Sequence, residues 1–160
     1  MLDRKHEDIR AHFNALIGDR IVWYETAELC LDDGAWESWP DLPIRIRMGS
    51  GRLLAVSWSG FEDLWIADDS SLPFRIDYAE VRWVGNGIES INPIIGSTIK
   101  SVMLGQGEMT IDSRAVEVWT RLLIGLDRGW LEVFNALDKN GYAFHIDQPL
   151  GTFVLCLPVQ

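Results

Sequence analysis

Between positions 25 and 41 the chain carries six acids, Glu25, Glu28, Asp32, Asp33, Glu37 and Asp41, with no Lys or Arg, and interleaves Trp36 and Trp39 among them. Carboxylates at that density can pair with Arg or Lys on a basic partner, and a Trp beside them supplies a large desolvated anchor. Glu28, Asp32, Asp33, Trp36, Glu37 and Trp39 are therefore the candidate partner-contact residues. The competing account gives the same residues a structural part, the rings capping the end of a sheet and the acids solvating a loop.

Groups suited to catalysis are sparse. His6 and His12 lie six apart and miss the i, i+4 spacing of a helical metal pair. His145, with Asp147 or Glu132, is the only seed of acid–base chemistry, weighed against an ordinary strand histidine. No Gly-x-Ser-x-Gly elbow occurs, and Met48-Gly49-Ser50-Gly51 is explained by a turn. Cys30 precedes Leu31-Asp32-Asp33, an acidic setting that disfavours a thiolate, and Cys156 stands in an apolar run as a core residue. Asp32-Asp33 and Asp68-Asp69 lack the spacing of a calcium loop. The expectation is a non-enzymatic protein with no metal and no cofactor.

The 160 residues suit one domain, 1–160, able to bury roughly two thirds of its unfolded surface. Twenty-four acids against 14 bases give a net charge of −10, which repels nucleic acid. The charged start, Met-Leu-Asp-Arg-Lys-His-Glu-Asp, does not suit a secretory signal, and no apolar run approaches the roughly 20 residues of a membrane span. With only two Cys, a cytoplasmic location is expected. Eight Trp imply large buried or adhesive faces, and such faces also permit a homodimer.

Apolar residues at Leu2, Ile9, Phe13 and Leu16 predict a short amphipathic helix over 2–16, stopped by Gly18. Strands are predicted at 20–26, at 44–57 as a hairpin turning at Gly51, at 74–84 with a bend near Ala79, at 98–104, at 115–135 as a hairpin turning at Gly129, at 142–146 and at 152–157. Residues 27–43, punctuated by Gly34, Pro40 and Pro43, are expected to be loop, and Gly105-Gln106-Gly107-Glu108 a turn. Both hairpin glycines suit a left-handed bulge position.

The two hairpins lie 78 residues apart, and without a gap Ile17-Gly18 matches Ile95-Gly96, Ile21 matches Ile99, Ile46 matches Ile124, Leu53 matches Leu131, Asp69 matches Asp147 and Leu72 matches Leu150. This predicts an internal repeat, 17–72 and 95–150, joined near Gly85-Asn86-Gly87. One hairpin unit cannot bury its apolar face alone, whereas two can close a shared core. The expected fold is mainly β (α+β), a short N-terminal helix followed by two duplicated antiparallel hairpin units about a pseudo-twofold. Leu53, Leu131, Ala55 and Val133 are expected on the core-facing parity.

The run Trp130-Leu-Glu-Val-Phe-Asn-Ala-Leu-Asp-Lys-Asn-Gly141 resembles a segment of small bacterial proteins of the polymorphic-toxin immunity type, with Lys139 in place of the usual acid. The resemblance covers mainly residues 95–144 and transfers no functional residue. It implies an inhibitor that sits on a cognate toxin domain and neutralises it in the cytoplasm. The alternative is a small-molecule or peptide-binding β module, its ligand held between the halves by Trp58, Trp65 or Trp83.

Overall fold

The computed structural model describes residues 2–137 and 139–159, so Asp138 of the 130–141 segment falls outside the described residues. Lys5, Ile9 and Phe13 form a buried i, i+4, i+8 stripe on helix α1 (Leu2–Phe13), with Asp3 in its first turn and Arg10 and His12 in its last, as the helix dipole favours. A 3-10 turn, Asn14–Leu16, replaces the predicted last helical residues. The strands are β1 (Ile21–Cys30), β2 (Trp36–Ser38), β3 (Ile44–Met48), β4 (Leu53–Ser59), β5 (Asp63–Ala67), β6 (Val81–Gly85), β7 (Ile99–Ile111), β8 (Arg114–Leu126), β9 (Trp130–Asn135), β10 (Asn140–His145) and β11 (Phe153–Leu157). The protein is mainly β with a short N-terminal helix.

All pairings are antiparallel and form two sheets. In the first, β1 is flanked by β6 on one edge and by β3 and then β2 on the other, with β4 and β5 beyond β3. The second runs β11-β7-β8-β9-β10. Without the small strand β2, the two orders are the same: a four-strand meander whose fifth strand returns to the free edge of the first.

The halves meet at an antiparallel bridge between Arg20 and Thr98, positions 78 apart. The bonds around it are reciprocal. The Gly18 amide donates to the Ile99 carbonyl at 2.8 Å and the Gly96 amide to the Ile21 carbonyl at 2.7 Å. The Ile21 amide donates to Ser97 at 2.8 Å and the Ile99 amide to Asp19 at 2.9 Å. Gly18 and Gly96 take φ of +87° and +84°, left-handed values that favour glycine. Common descent of the halves from one duplicated unit is a proposal that these bonds support.

The offset of 78 fails at the hairpin turns. Ile46 pairs with Leu54 but Ile124 with Leu131, because the turn between β3 and β4 is one residue longer than that between β8 and β9. Leu54, Val56 and Trp58 therefore face the main core with Leu131 and Val133, whereas Leu53 does not, which corrects the gapless parity. The glycines differ too. Gly51 has φ +90°, whereas Gly129 has φ +157° and is required because a Cβ there would meet the His145 carbonyl and the Phe144 ring.

Three further expectations are overturned. Residues 27–43 hold the end of β1 and all of β2 rather than a loop, residues 74–80 are irregular rather than strand, and the predicted turn 105–108 lies inside β7. Gly105 mimics a turn signal but is needed in the strand because the Phe153 ring lies against its Cα.

Both sheets and α1 close one core that includes Phe13, Tyr24, Trp58, Ile99 and Val133. Trp58 is fully buried and donates its Nε1–H to the Val133 carbonyl at 2.8 Å, so this ring itself fills space between the sheets. Asn140 is the polar tie: its Oδ1 accepts from the Trp58 amide, and its Nδ2 donates to Pro40, Leu42 and Ser57 Oγ. Asn135 donates to the Gly60 and Phe61 carbonyls. The asparagines of the 130–141 segment thus knit the halves together. A smaller core of Ala27, Leu29 and Leu42, packed with Trp39, Leu72, Ile76, Val81 and Trp83, lies under the distal half of β1.

Candidate interaction site

β1 outruns the main core, and β2 folds back on its end in the register Glu28↔Ser38, Leu29↔Glu37 and Cys30↔Trp36. The tip closes by bonds from the Gly34 amide to the Leu31 carbonyl, 2.9 Å, and from the Leu31 amide to the Ala35 carbonyl, 2.7 Å, with Gly34 at φ +84°. Asp33 Oδ1 accepts from the Ala35 amide at 2.9 Å, the local bond that favours Asp in turns.

Strand alternation divides the six predicted residues. Glu28 and Trp36 share one face with Cys30, Glu37 shares the other with Leu29, and Asp32 and Asp33 sit exposed at the tip. Trp39, half-buried, packs on the small core, and its amide donates to the Ala27 carbonyl at 2.9 Å. Its indole Nε1 is buried with no hydrogen-bond partner among the described residues.

The local run of acids is not left uncompensated. β6 brings Arg82 to Glu28 at 2.7 Å and lays its guanidinium over the Trp36 ring, 4.3 Å from the centroid. Arg45 and Arg47 stand 3.9 and 3.6 Å from Glu25, and Arg45 also stacks 3.5 Å from the Trp83 centroid. Burial pulls the Arg45 pKa down while Glu25 opposes it. Glu28 and Trp36 are therefore engaged within the chain, whereas the side chains of Asp32 and Glu37 have no hydrogen bond or ion pair among the described residues.

An open depression of about 410 Å³ at this end is lined by Leu29, Leu31, Asp32, Asp33, Trp39 and Tyr78, among others. Leu31 and Tyr78 are 38% and 67% exposed, so the acids rim an apolar surface. Tyr78 and Arg82 were missed from sequence because irregular chain and a strand pairing 54 residues distant deliver them; neither leaves a local signal. The chain was compared with protein-family models, curated proteins and solved structures. It matches none of them. The resemblance in residues 130–141 therefore stands on those residues alone.

His145 meets Glu132 rather than Asp147: its Nε2 lies 2.9 Å from Glu132 Oε1, while Arg121 Nε donates to Oε2 at 2.6 Å. Arg121 also stacks on Phe153 and donates to the Leu150 carbonyl, so the row fastens β8, β9 and β10 to the segment before β11. Among the described residues no three His, Cys, Asp or Glu side chains converge to hold a metal, and no helix is long and apolar enough to cross a membrane. Both cysteines are free, and burial pushes the Cys156 thiol up to about 11.

Proposed function

We propose that this is an immunity-like protein that binds and neutralises a cognate toxin domain in the cytoplasm, using the tip of the β1–β2 hairpin. The observation that carries this is the depression beside the tip. Its exposed Leu31 and Tyr78 offer apolar anchoring, and Asp32 with the nearby Glu37 offers carboxylates that no internal base consumes. Arg82 and Arg45 neutralise acids on the body of the strand and leave the rim negative, which suits a partner presenting Arg or Lys around an apolar knob. The small core beneath Trp39 holds the surface in place, so little ordering is needed on binding. The contact set is Leu31, Asp32, Glu37, Trp39 and Tyr78, with Glu28, Asp33 and Trp36 positioning the hairpin.

The test is capture from the native host by the tagged chain and by a Leu31→Asp/Tyr78→Ser variant. The expected result is one stoichiometric protein, held by the native chain and lost by the variant, that arrests growth when expressed alone and is silenced by co-expression. Association should slow about tenfold in Asp32→Lys/Glu37→Lys and lose its salt sensitivity. A harmless captured protein, or equal capture by the variant, defeats the proposal. A depression of about 410 Å³ is also within the size of small-molecule sites. That alternative would show as a metabolite quenching Trp fluorescence in the native chain but not in Trp39→Phe.

A further inference from the structure

β7 and β8 pair from Ile99↔Leu126 to Ile111↔Arg114, with one register shift after Ile99 and a second that leaves Thr120 as a bulge, yet β11 pairs with β7 only over 102–105 and β9 with β8 only over 121–125. Residues 106–119 therefore form a two-stranded ribbon that runs past its neighbours. It closes through Asp112 and Ser113, at φ +50° and +63°, a two-residue turn of the twist that suits a hairpin. In such a hairpin the flanking pair, Ile111 and Arg114, is hydrogen-bonded and the pairs then alternate. Trp119, Glu117 and Ala115 consequently turn their backbone groups away from β7. The Trp119 carbonyl is indeed taken from that side, by Lys5 Nζ at 2.8 Å. Glu117 and Ala115 have no such partner among the described residues.

At the base of the ribbon is a groove of about 540 Å³, lined by Glu108, Thr110, Thr120, Phe134 and Leu137 among others, with Leu137 80% exposed. Past Phe134, β9 no longer pairs with β8, so the lane beside residues 115–118 holds no strand. The ribbon also carries a local conflict. Glu108 stands directly opposite Glu117 in a non-hydrogen-bonded pair, where side chains are closest and like charges destabilise. On the opposite parity Val116 and Val118 are half-buried and apolar.

We infer that this lane accepts an extended segment of a protein partner as an added strand along β8, with Lys or Arg beside Glu117 and apolar residues beside Val116 and Val118. Backbone bonds to Ala115 and Glu117 supply the grip, and a base next to Glu117 relieves the carboxylate pair. A second copy fits badly. Twofold pairing of two ribbon edges places both acid rows on one face, four carboxylates together. The inference is independent of the hairpin tip proposed above, since the two surfaces belong to different sheets.

The experiment is amide hydrogen exchange of the full chain with an acetylated ten-residue peptide alternating Lys and Val, and with its Glu–Val counterpart. The Lys–Val peptide is expected to slow exchange at Ala115 and Glu117 at least tenfold, with salt-sensitive binding, and the Glu–Val peptide to do nothing. Glu117→Lys should weaken peptide binding at least tenfold while raising the unfolding midpoint, because it converts the like pair into an opposite one. That variant separates a lost site from a lost fold. Unchanged exchange at saturation, equal protection by both peptides, or protection that grows with protein concentration without peptide overturns the inference.

Discussion

The two halves share a strand order and a reciprocal set of bonds at Arg20 and Thr98, yet repeatedly exchange which partner supplies a contact. In the first half Trp23 on β1 lies against Gly85 of the returning strand β6; in the second, Phe153 on the returning strand β11 lies against Gly105 of β7. Asp19, before β1, binds the Ser50 amide in a turn, whereas Asp127, in the matching turn, binds the Thr98 amide before β7. Inside the frame, contact is kept and the donor is free to change sides. Beyond the frame the halves part company. The distal part of β1 is paired on both edges and backed by its own small core, while the distal ribbon of β7 and β8 is left bare. Both proposed binding surfaces lie where the common frame ends.

The sharpest break in the correspondence is Asn140. The register pairs Trp58↔Leu64 and Asn135↔Asn140 give it Leu64 as a counterpart, an apolar residue half-buried against the main core. Asn140→Ala should cost about 3 kcal/mol or more by urea unfolding, because it strands the Trp58 amide and the Leu42 carbonyl, while Leu64→Ala, which loses only half-buried apolar contact, should cost about 1 kcal/mol. Similar losses at both sites would mean that the tie is not confined to one half.

Next come the ring-on-glycine contacts. A Cβ at Gly85 or Gly105 would enter the Trp23 or Phe153 ring, so each Gly→Ala is expected to cost about 1–3 kcal/mol, with part of the loss removed when the facing ring is truncated to Ala. Additive double mutants would show that ring and glycine are not coupled.

The smallest effect is at Asp19. Desolvation pushes its carboxyl up, but the Ser50 hydroxyl, the Arg20 and Ser50 amides and the Arg52 charge outweigh this and hold its pKa below 3.8. A depressed folded pKa gives stability that is present above the unfolded value and lost as pH falls below it. Asp19→Asn should therefore flatten the acid limb of the stability curve below about pH 4 and leave neutral pH slopes unchanged. An unchanged acid limb would remove Asp19 from the junction's electrostatics.

Much of the frame was legible locally. The helical stripe through Ile9 and Phe13, the hairpins turning near Gly51 and Gly129, and the apolar run before Pro158 all follow from periodicity and turn chemistry over a few residues. Local signals also misled. Gly34, Pro40 and Pro43 punctuate residues 27–43 like a loop, yet the segment holds strand, because β6 and β2 give the end of β1 two hydrogen-bonded edges. Gly105 and Gly107 resemble turn residues, but aromatic packing at Gly105 and the Thr120 bulge at Gly107 put them in a strand.

For the candidate site, the sequence alone determined the supply of charge and rings: six acids and two Trp within 25–41 on a chain of net charge −10. Only tertiary structure decided which of them remain available. Arg82 reaches Glu28 from 54 residues away and stacks on Trp36, and Tyr78 reaches the depression through irregular chain. Pairings of that range depend on strand order and register, which arise when both sheets bury their apolar faces together, and no window of the sequence contains both partners.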